Sequence, residues 1–278
     1  MRIFQVDAFT DRLFTGNPAA VVVLPAFPTD AFLQSIAAEN NLAETAFLVP
    51  RGNEYDLRWF TPTVEVPLCG HATLASAAVI MERLETGRNR VIFHTRSGPL
   101  PVQRDGKKYL LDFPARFSER TEVPVDLAEA LDVEPLEVLV NQFNYLAVLA
   151  DEQQLRALAP DMGKIARLDR TGVIVTAKST GLYDFVSRYF APAKGIPEDP
   201  VTGAAHCMLA PYWAEPLGKT EFRAFQASPR GGEVICRLLS DRVELQGECV
   251  FYLEGQIEMP DPLGSCCDRR IDRIAGGN

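Results

Sequence analysis

The feature that most constrains this 278-residue chain is that it states one pattern twice. The run Tyr55-Asp56-Leu57-Arg58-Trp59-Phe60-Thr61-Pro62 returns as Tyr183-Asp184-Phe185-Val186-Ser187-Arg188-Tyr189-Phe190-Ala191-Pro192. Seven residues beyond the proline stands Cys69 in the first copy and Asp199 in the second, with Val66-Pro67 and Ile196-Pro197 in register between them. Asn17–Leu24 pairs with Asn144–Leu149, Ala46–Val49 with Val173–Thr176, and Arg96–Leu100 with Arg230–Val234, all in the same order. Ordered self-similarity of this kind marks duplicated structural units. We therefore expect two similar domains, residues 1–117 and 124–262, joined through the polar stretch Pro114–Pro124, with 263–278 as a tail lacking a core pattern.

Short Val-, Leu- and Phe-rich runs punctuated by Gly, Pro or Asp predict strands at 2–9, 18–24, 44–50, 55–61, 90–95, 99–104 and 107–113. An amphipathic helix is expected at 29–40, capped by Thr29 or Asp30, with others near 126–132 and 151–158. Two segments break the β pattern. One runs from Gly70 to Met81, the other from Gly203 until Pro211 disturbs it. Both are small or apolar on every face, the signature of buried helices. The fold class that follows is α+β: two mostly antiparallel sheets, each curled round one central buried helix.

Hydrophobic residues at 47% and charged residues at 23% are enough to fill two cores. A net charge of -9 without a basic run argues against a nucleic-acid partner. The longest apolar stretch, Ala19–Leu24, is too short for a bilayer, and charge arrives too early for a signal peptide, so a cytoplasmic protein without membrane association is expected. No Cys-x-x-Cys is present and only three histidines occur, which leaves little for a metal site. The glycine-rich dinucleotide and phosphate loops, the Gly-x-Ser-x-Gly elbow and His-Glu-x-x-His are all absent.

Each buried helix follows a turn, Pro67-Leu68-Cys69-Gly70-His71 or Pro197-Glu198-Asp199-Pro200-Val201-Thr202-Gly203. Helix starts carry free N–H groups and partial positive charge, and so receive carboxylates. Pseudo-twofold symmetry would set the two starts face to face, placing Cys69 or His71 on one side of a small anion and Asp199 on the other. Acid/base groups on either side of one carbon are what a proton-transfer isomerase needs.

Leu68-Cys69-Gly70-His71-Ala72-Thr73, Glu198-Asp199-Pro200-Val201-Thr202-Gly203, Phe4-Gln5-Val6-Asp7-Ala8-Phe9 with Gly16-Asn17-Pro18-Ala19-Ala20-Val21, and Leu42-Ala43-Glu44-Thr45-Ala46-Phe47 together resemble the phenazine-biosynthesis PhzF-like proteins, over nearly the whole chain. The resemblance implies the diaminopimelate-epimerase-like fold and a cofactor-independent isomerase, usually a homodimer, with a small carboxylated metabolite bound between the domains. It makes Glu44 the proton-shuttling catalytic glutamate, His71 and Asp199 substrate-contacting partners, and Gly70 a backbone contact. Two departures stand out. Ala204 occupies the place of the phenazine enzyme's serine, and Cys69 matches the catalytic cysteine of related epimerases and racemases.

Each of these residues also has a plainer reading. Glu44 could be a solvated strand end, His71 a satisfied core histidine, Asp199 a helix cap and Cys69 a small buried apolar group. A helix-start cysteine would have its thiolate stabilised, which opens a Cys69–Asp199 epimerase or racemase as an alternative. Asn17, Thr202 and Gly203 are expected to line the cleft. Gly231 and Gly232 either offer N–H groups to a substrate carboxylate or make a tight turn. Two other rivals are a ligand-binding protein without turnover and a cysteine hydrolase on Cys69 and His71. Residues two apart at a helix start point in different directions, which weakens the hydrolase.

Overall fold

A computed structural model describes residues 1–258, so the 263–278 tail, with Cys266 and Cys267, lies outside the described residues. The duplication is visible in the strand pairing. In the first half Asn17–Val23 pairs parallel with Glu44–Arg51, which pairs antiparallel with Glu54–Phe60, which in turn meets Arg90–Thr95 in parallel. In the second half Asn144–Val148, Gly172–Lys178, Phe185–Ala191 and Glu221–Gln226 repeat the same three relations. The repeated arginines do equivalent work. Arg58 grips Glu65 through two bonds of 2.8 and 2.7 Å, and Arg188 grips Glu198 through two of 2.7 and 2.9 Å. These bidentate pairs hold the strand before each buried helix to its neighbour.

The buried helices are Gly70–Val79 and Gly203–Leu217. Every residue from His71 to Val79 is buried, as small and apolar side chains on all faces require. Both helices belong to one continuous apolar core that also takes in Phe4, Trp59, Phe93, Phe185 and Leu245. Separate outer clusters lie under the Asp30–Asn40 helix and under Val125–Leu131.

Three features differ from expectation. The Gly203 helix passes through Pro211 and ends at Leu217. Pro211 leaves the Cys207 carbonyl without its usual donor; the Arg116 N–H fills that place at 2.8 Å, so the break costs little. The Gly70 helix continues beyond Met81 through a π turn, Ile80–Leu84. Pro114–Pro124 is also more than a connector, because Glu119–Thr121 pairs with Glu137–Val140 of the second half.

The halves exchange their last strands. Cys249–Gln256 lies in sequence with the second half yet pairs along Arg2–Ala8, the first strand of the first. Lys108–Pro114 and Arg242–Gly247 run antiparallel where the halves meet, with Leu111 opposite Leu245. These pairings carry one sheet order through both halves and place the two helix starts together.

Candidate active site

A methyl group placed on Gly70 would lie 3.8 Å from the Gly203 Cα, and one on Gly203 would lie 3.9 Å from the Gly70 Cα. The two buried helices therefore begin in van der Waals contact. Neither start is capped by its own N-cap side chain, Cys69 or Thr202, so N–H groups of both first turns need other partners.

Four strands and turns deliver side chains to this point. Asn17 and Glu44 open two adjacent parallel strands, with Ala19 opposite Glu44, so both stand at the same sheet end. Cys69 and His71 come with the first helix, Asp199 and Thr202 with the turn before the second. Asn17 Nδ2 donates to Asp199 Oδ1 at 2.7 Å and to the Val201 carbonyl at 2.8 Å, and lies 3.2 Å from His71 Nδ1. Thr202 Oγ1 donates to Asp199 Oδ2 at 2.5 Å. Cys69 Sγ is 3.5 Å from His71 Nδ1, and Glu44 Oε2 is 3.4 Å from His71 Nε2.

His71 Nδ1 faces the Asn17 amide and the Cys69 thiol, and Nε2 faces Glu44. Burial drives the His71 pKa down to about 3, so the ring is neutral at any ordinary pH. Among the described residues, His71 Nε2 and Asn17 Oδ1 are two of five buried side-chain polar atoms without a hydrogen-bond partner. Such orphans at one spot mark a place built for something other than stability.

The two carboxyls have been driven apart in acidity. Burial, and then the charge of Asp199, raise Glu44 to about 8, against weaker opposition from the Cys69 hydrogen bond and Lys194. Asp199 is raised to about 6 by burial, held back by its bonds from Thr202 and Asn17. Asp199 therefore ionises first and Glu44 keeps its proton near neutral pH. Two carboxyls with separated acidities are the familiar division into a fixed charge and a proton carrier.

Cys69 departs from expectation. Burial, then the Glu44 charge, pushes its thiol well above the usual range, so the helix start does not yield a thiolate. The ligand atoms of Glu44, Cys69 and His71 lie within 4.8 Å of one another, the one such trio among the described residues. A cation there would have to displace the protons that burial holds on Glu44 and Cys69.

The structure brings together Asn17, Glu44, Cys69, Gly70, His71, Asp199, Thr202 and Gly203, and leaves Gly231 and Gly232 out. Gly231 has φ +65°, accepts at its carbonyl from Gly16 N–H at 2.7 Å, and gives its own N–H to Ser228 Oγ. A methyl on Gly232 would meet Val201 Cγ2 at 2.4 Å and the Phe9 carbonyl at 2.9 Å. Here the glycines let two backbones touch, while Arg230 ties the turn to Asp7 and to the Gly16 carbonyl. The repeat of Arg96–Leu100 thus marks a clasp between the halves.

Sequence reasoning missed Gln226, which donates to the Asp199 carbonyl at 2.7 Å and accepts the Thr202 N–H at 2.8 Å. A lone glutamine at a strand end carries no local signal for this. It also missed Lys194 and Arg116, which face an adjoining cavity of about 540 Å³ lined by Leu68, Gly70, Phe113 and Phe143. Lys194 could have been suspected as the one cation between the repeat's Pro192 and Asp199.

Two sheet-wrapped helices with paired carboxyls at their touching starts define an isomerase of the α+β, epimerase-like fold. The chain belongs to the phenazine biosynthesis-like protein family, PhzC-PhzF, whose model matches residues 6–255. An uncharacterized isomerase of Pseudomonas aeruginosa is 48% identical over 260 residues, covering 93% of this chain and 99% of that protein. The crystal structure of a PhzF-family protein from Enterococcus faecalis superimposes with a TM-score of 0.90 at 42% identity, covering 93% and 99% of the two chains. A predicted epimerase from Pseudomonas aeruginosa shares the fold, with a TM-score of 0.71 at 21% identity over 93% of this chain and 99% of that one.

Proposed function

We propose that this isomerase moves a proton on a small carboxylated metabolite held between its halves, without a cofactor. The observation that carries the reading is the buried cluster at the touching helix starts, where Glu44 stands 3.4 Å from His71 and Asn17 contacts both His71 and Asp199, with burial raising the pKa of Glu44 above that of Asp199. A carboxyl titrating near working pH can take a proton from carbon and return it, since neither form is strongly disfavoured. The substrate carboxylate meets the N–H groups at the Gly70 and Gly203 helix starts, which stabilise negative charge as it spreads toward that carboxylate. The Glu44 carboxylate removes the carbon-bound proton, the electron pair delocalises into the adjacent unsaturated or carboxyl group, and the Glu44 acid delivers the proton to a second position. The neutral His71 ring stands beside Glu44, and Asp199 holds Asn17, which lies against the ring's other nitrogen.

Proton NMR in deuterium oxide with small amino acids and cyclic unsaturated acids tests this. Wild type should incorporate deuterium at carbon and Glu44→Gln should not. Equal incorporation by both proteins ends the Glu44 assignment, and binding without exchange in wild type favours a ligand-binding protein. The Cys69–Asp199 epimerase has in its favour the thiol's contact with His71, and against it the raised thiol pKa. Wild-type turnover in Cys69→Ser would exclude it.

A further inference from the structure

The wall of the cavity next to the helix starts does not match the charge of the chain around it. The protein carries a net charge of -9, yet among the described residues the only charged side chains lining this cavity of about 540 Å³ are two cations, Arg116 and Lys194. Among the described residues, neither has a carboxylate within 4.0 Å, whereas Arg58, Arg188, Arg230 and Arg242 all do. Most of the remaining wall is apolar, with Leu68, Phe113 and Phe143 among it.

Both cations are held in place. The Arg116 backbone N–H is tied to the Cys207 carbonyl, and its guanidinium lies over the Phe143 ring, 4.9 Å from the centroid. Lys194 ends a short turn, Pro192–Lys194, and its Nζ lies 3.4 Å from the Tyr189 hydroxyl, which donates to Asn144 Oδ1. Desolvation, and then the nearby Arg116, lower the Lys194 pKa. Two neighbouring cations repel, and an anion bound between them converts that repulsion into two attractions.

We infer that this isomerase takes a dianion: a substrate whose reacting carboxylate sits at the Gly70 and Gly203 helix starts, and whose second anionic group, on a flat apolar body, is received by Arg116 and Lys194. This rests on the proposed carboxylate position at the helix starts. The aromatic walls accept an unsaturated or cyclic body, and the arginine fork can pair bidentately with a carboxylate. A plainer role exists for Lys194 alone, as counter-ion to Glu44 and Asp199, both of which act on it.

Calorimetric titration of the wild-type protein with benzoate, benzene-1,3-dicarboxylate, benzene-1,4-dicarboxylate and 4-phosphonobenzoate separates these roles. At least one dicarboxylate should bind about tenfold or more tightly than benzoate, the gain of one charge-assisted contact. Arg116→Met and Lys194→Met, checked for unchanged melting curves, should bring that ratio close to one. The phosphonate exceeding both dicarboxylates would move the second group from carboxylate to phosphate while keeping the dianion. Equal binding of benzoate and the dicarboxylates by wild type overturns the inference, as does failure of every dicarboxylate to bind at millimolar concentration. A ratio that survives both substitutions also overturns it, and a changed pH profile in Lys194→Met with the ratio intact assigns Lys194 as counter-ion. Deuterium exchange reports separately on the proton-transfer reading, so either conclusion can fail while the other stands.

Discussion

Glu44→Gln should make the folded protein less sensitive to alkali while it abolishes turnover. The side chain is 12% exposed and lies beside Cys69, His71 and the charge of Asp199. In the unfolded chain its carboxyl ionises near 4.5, whereas in the folded protein it holds its proton to about 8. Between those values the unfolded state binds fewer protons, so stability falls as pH rises through that window and levels off above it. Below 4.5 both states are protonated and the penalty is absent. At about 1.4 kcal/mol per pH decade, the interval corresponds to roughly 5 kcal/mol. The glutamine keeps the shape and cannot ionise, so its protein is spared this loss. Asp199 acts in the same direction at lower pH, between 3.8 and about 6, and is retained in both proteins. Urea unfolding at pH 5 and pH 9 reads the effect as a difference of differences. Wild type should lose several kcal/mol more than Glu44→Gln on going from pH 5 to pH 9, and above pH 8 the variant should be the more stable protein. Parallel losses agreeing to within about 0.5 kcal/mol would refute the raised acidity constant and the proton-carrier role built on it.

Three further substitutions or probes follow from the same geometry. Asn17→Ala removes the donor to Asp199 and Val201 and should destabilise by about 2–4 kcal/mol in denaturant titration. It should also move the acid limb of the pH–rate profile upward, because Asp199 loses a bond that favours its anion. Gly232→Ala forces a methyl against Val201 and the Phe9 carbonyl and should cost about 1–3 kcal/mol, seen as a lowered Tm; an unchanged Tm would remove the clasp. Cys69 should resist iodoacetamide in the native protein at pH 8 because burial holds its thiol protonated, and rapid alkylation read by mass spectrometry would contradict that.

Much of this protein is legible without coordinates because its signals are local. The repeated Arg58 and Arg188 runs announced two copies of one plan, and apolar residues on every face announced the helices at Gly70 and Gly203 as buried. Strand boundaries such as 90–95 are set by turn residues a few positions away and fall where expected. Glu44, His71, Asp199 and their neighbours were named by motif, and they do meet.

What tertiary structure alone decided depends on partners distant in sequence. Pro211 should have ended a helix, but a peptide N–H from Arg116 satisfies the carbonyl it exposes. Cys69 stands at a helix start that by itself would favour a thiolate, yet burial, and then the charges of Glu44 and Asp199, reverse the sign. The exchange of Cys249–Gln256 onto Arg2–Ala8 is a choice between sheet edges that strand propensity does not distinguish. Asn17 and Asp199 are 182 residues apart in the chain and 2.7 Å apart in the fold. Periodicity and turn chemistry act over a few residues and can be read from the chain. Desolvation, charge coupling and the supply of a missing hydrogen bond come from whatever folding brings alongside, and those three effects set the chemistry of this site.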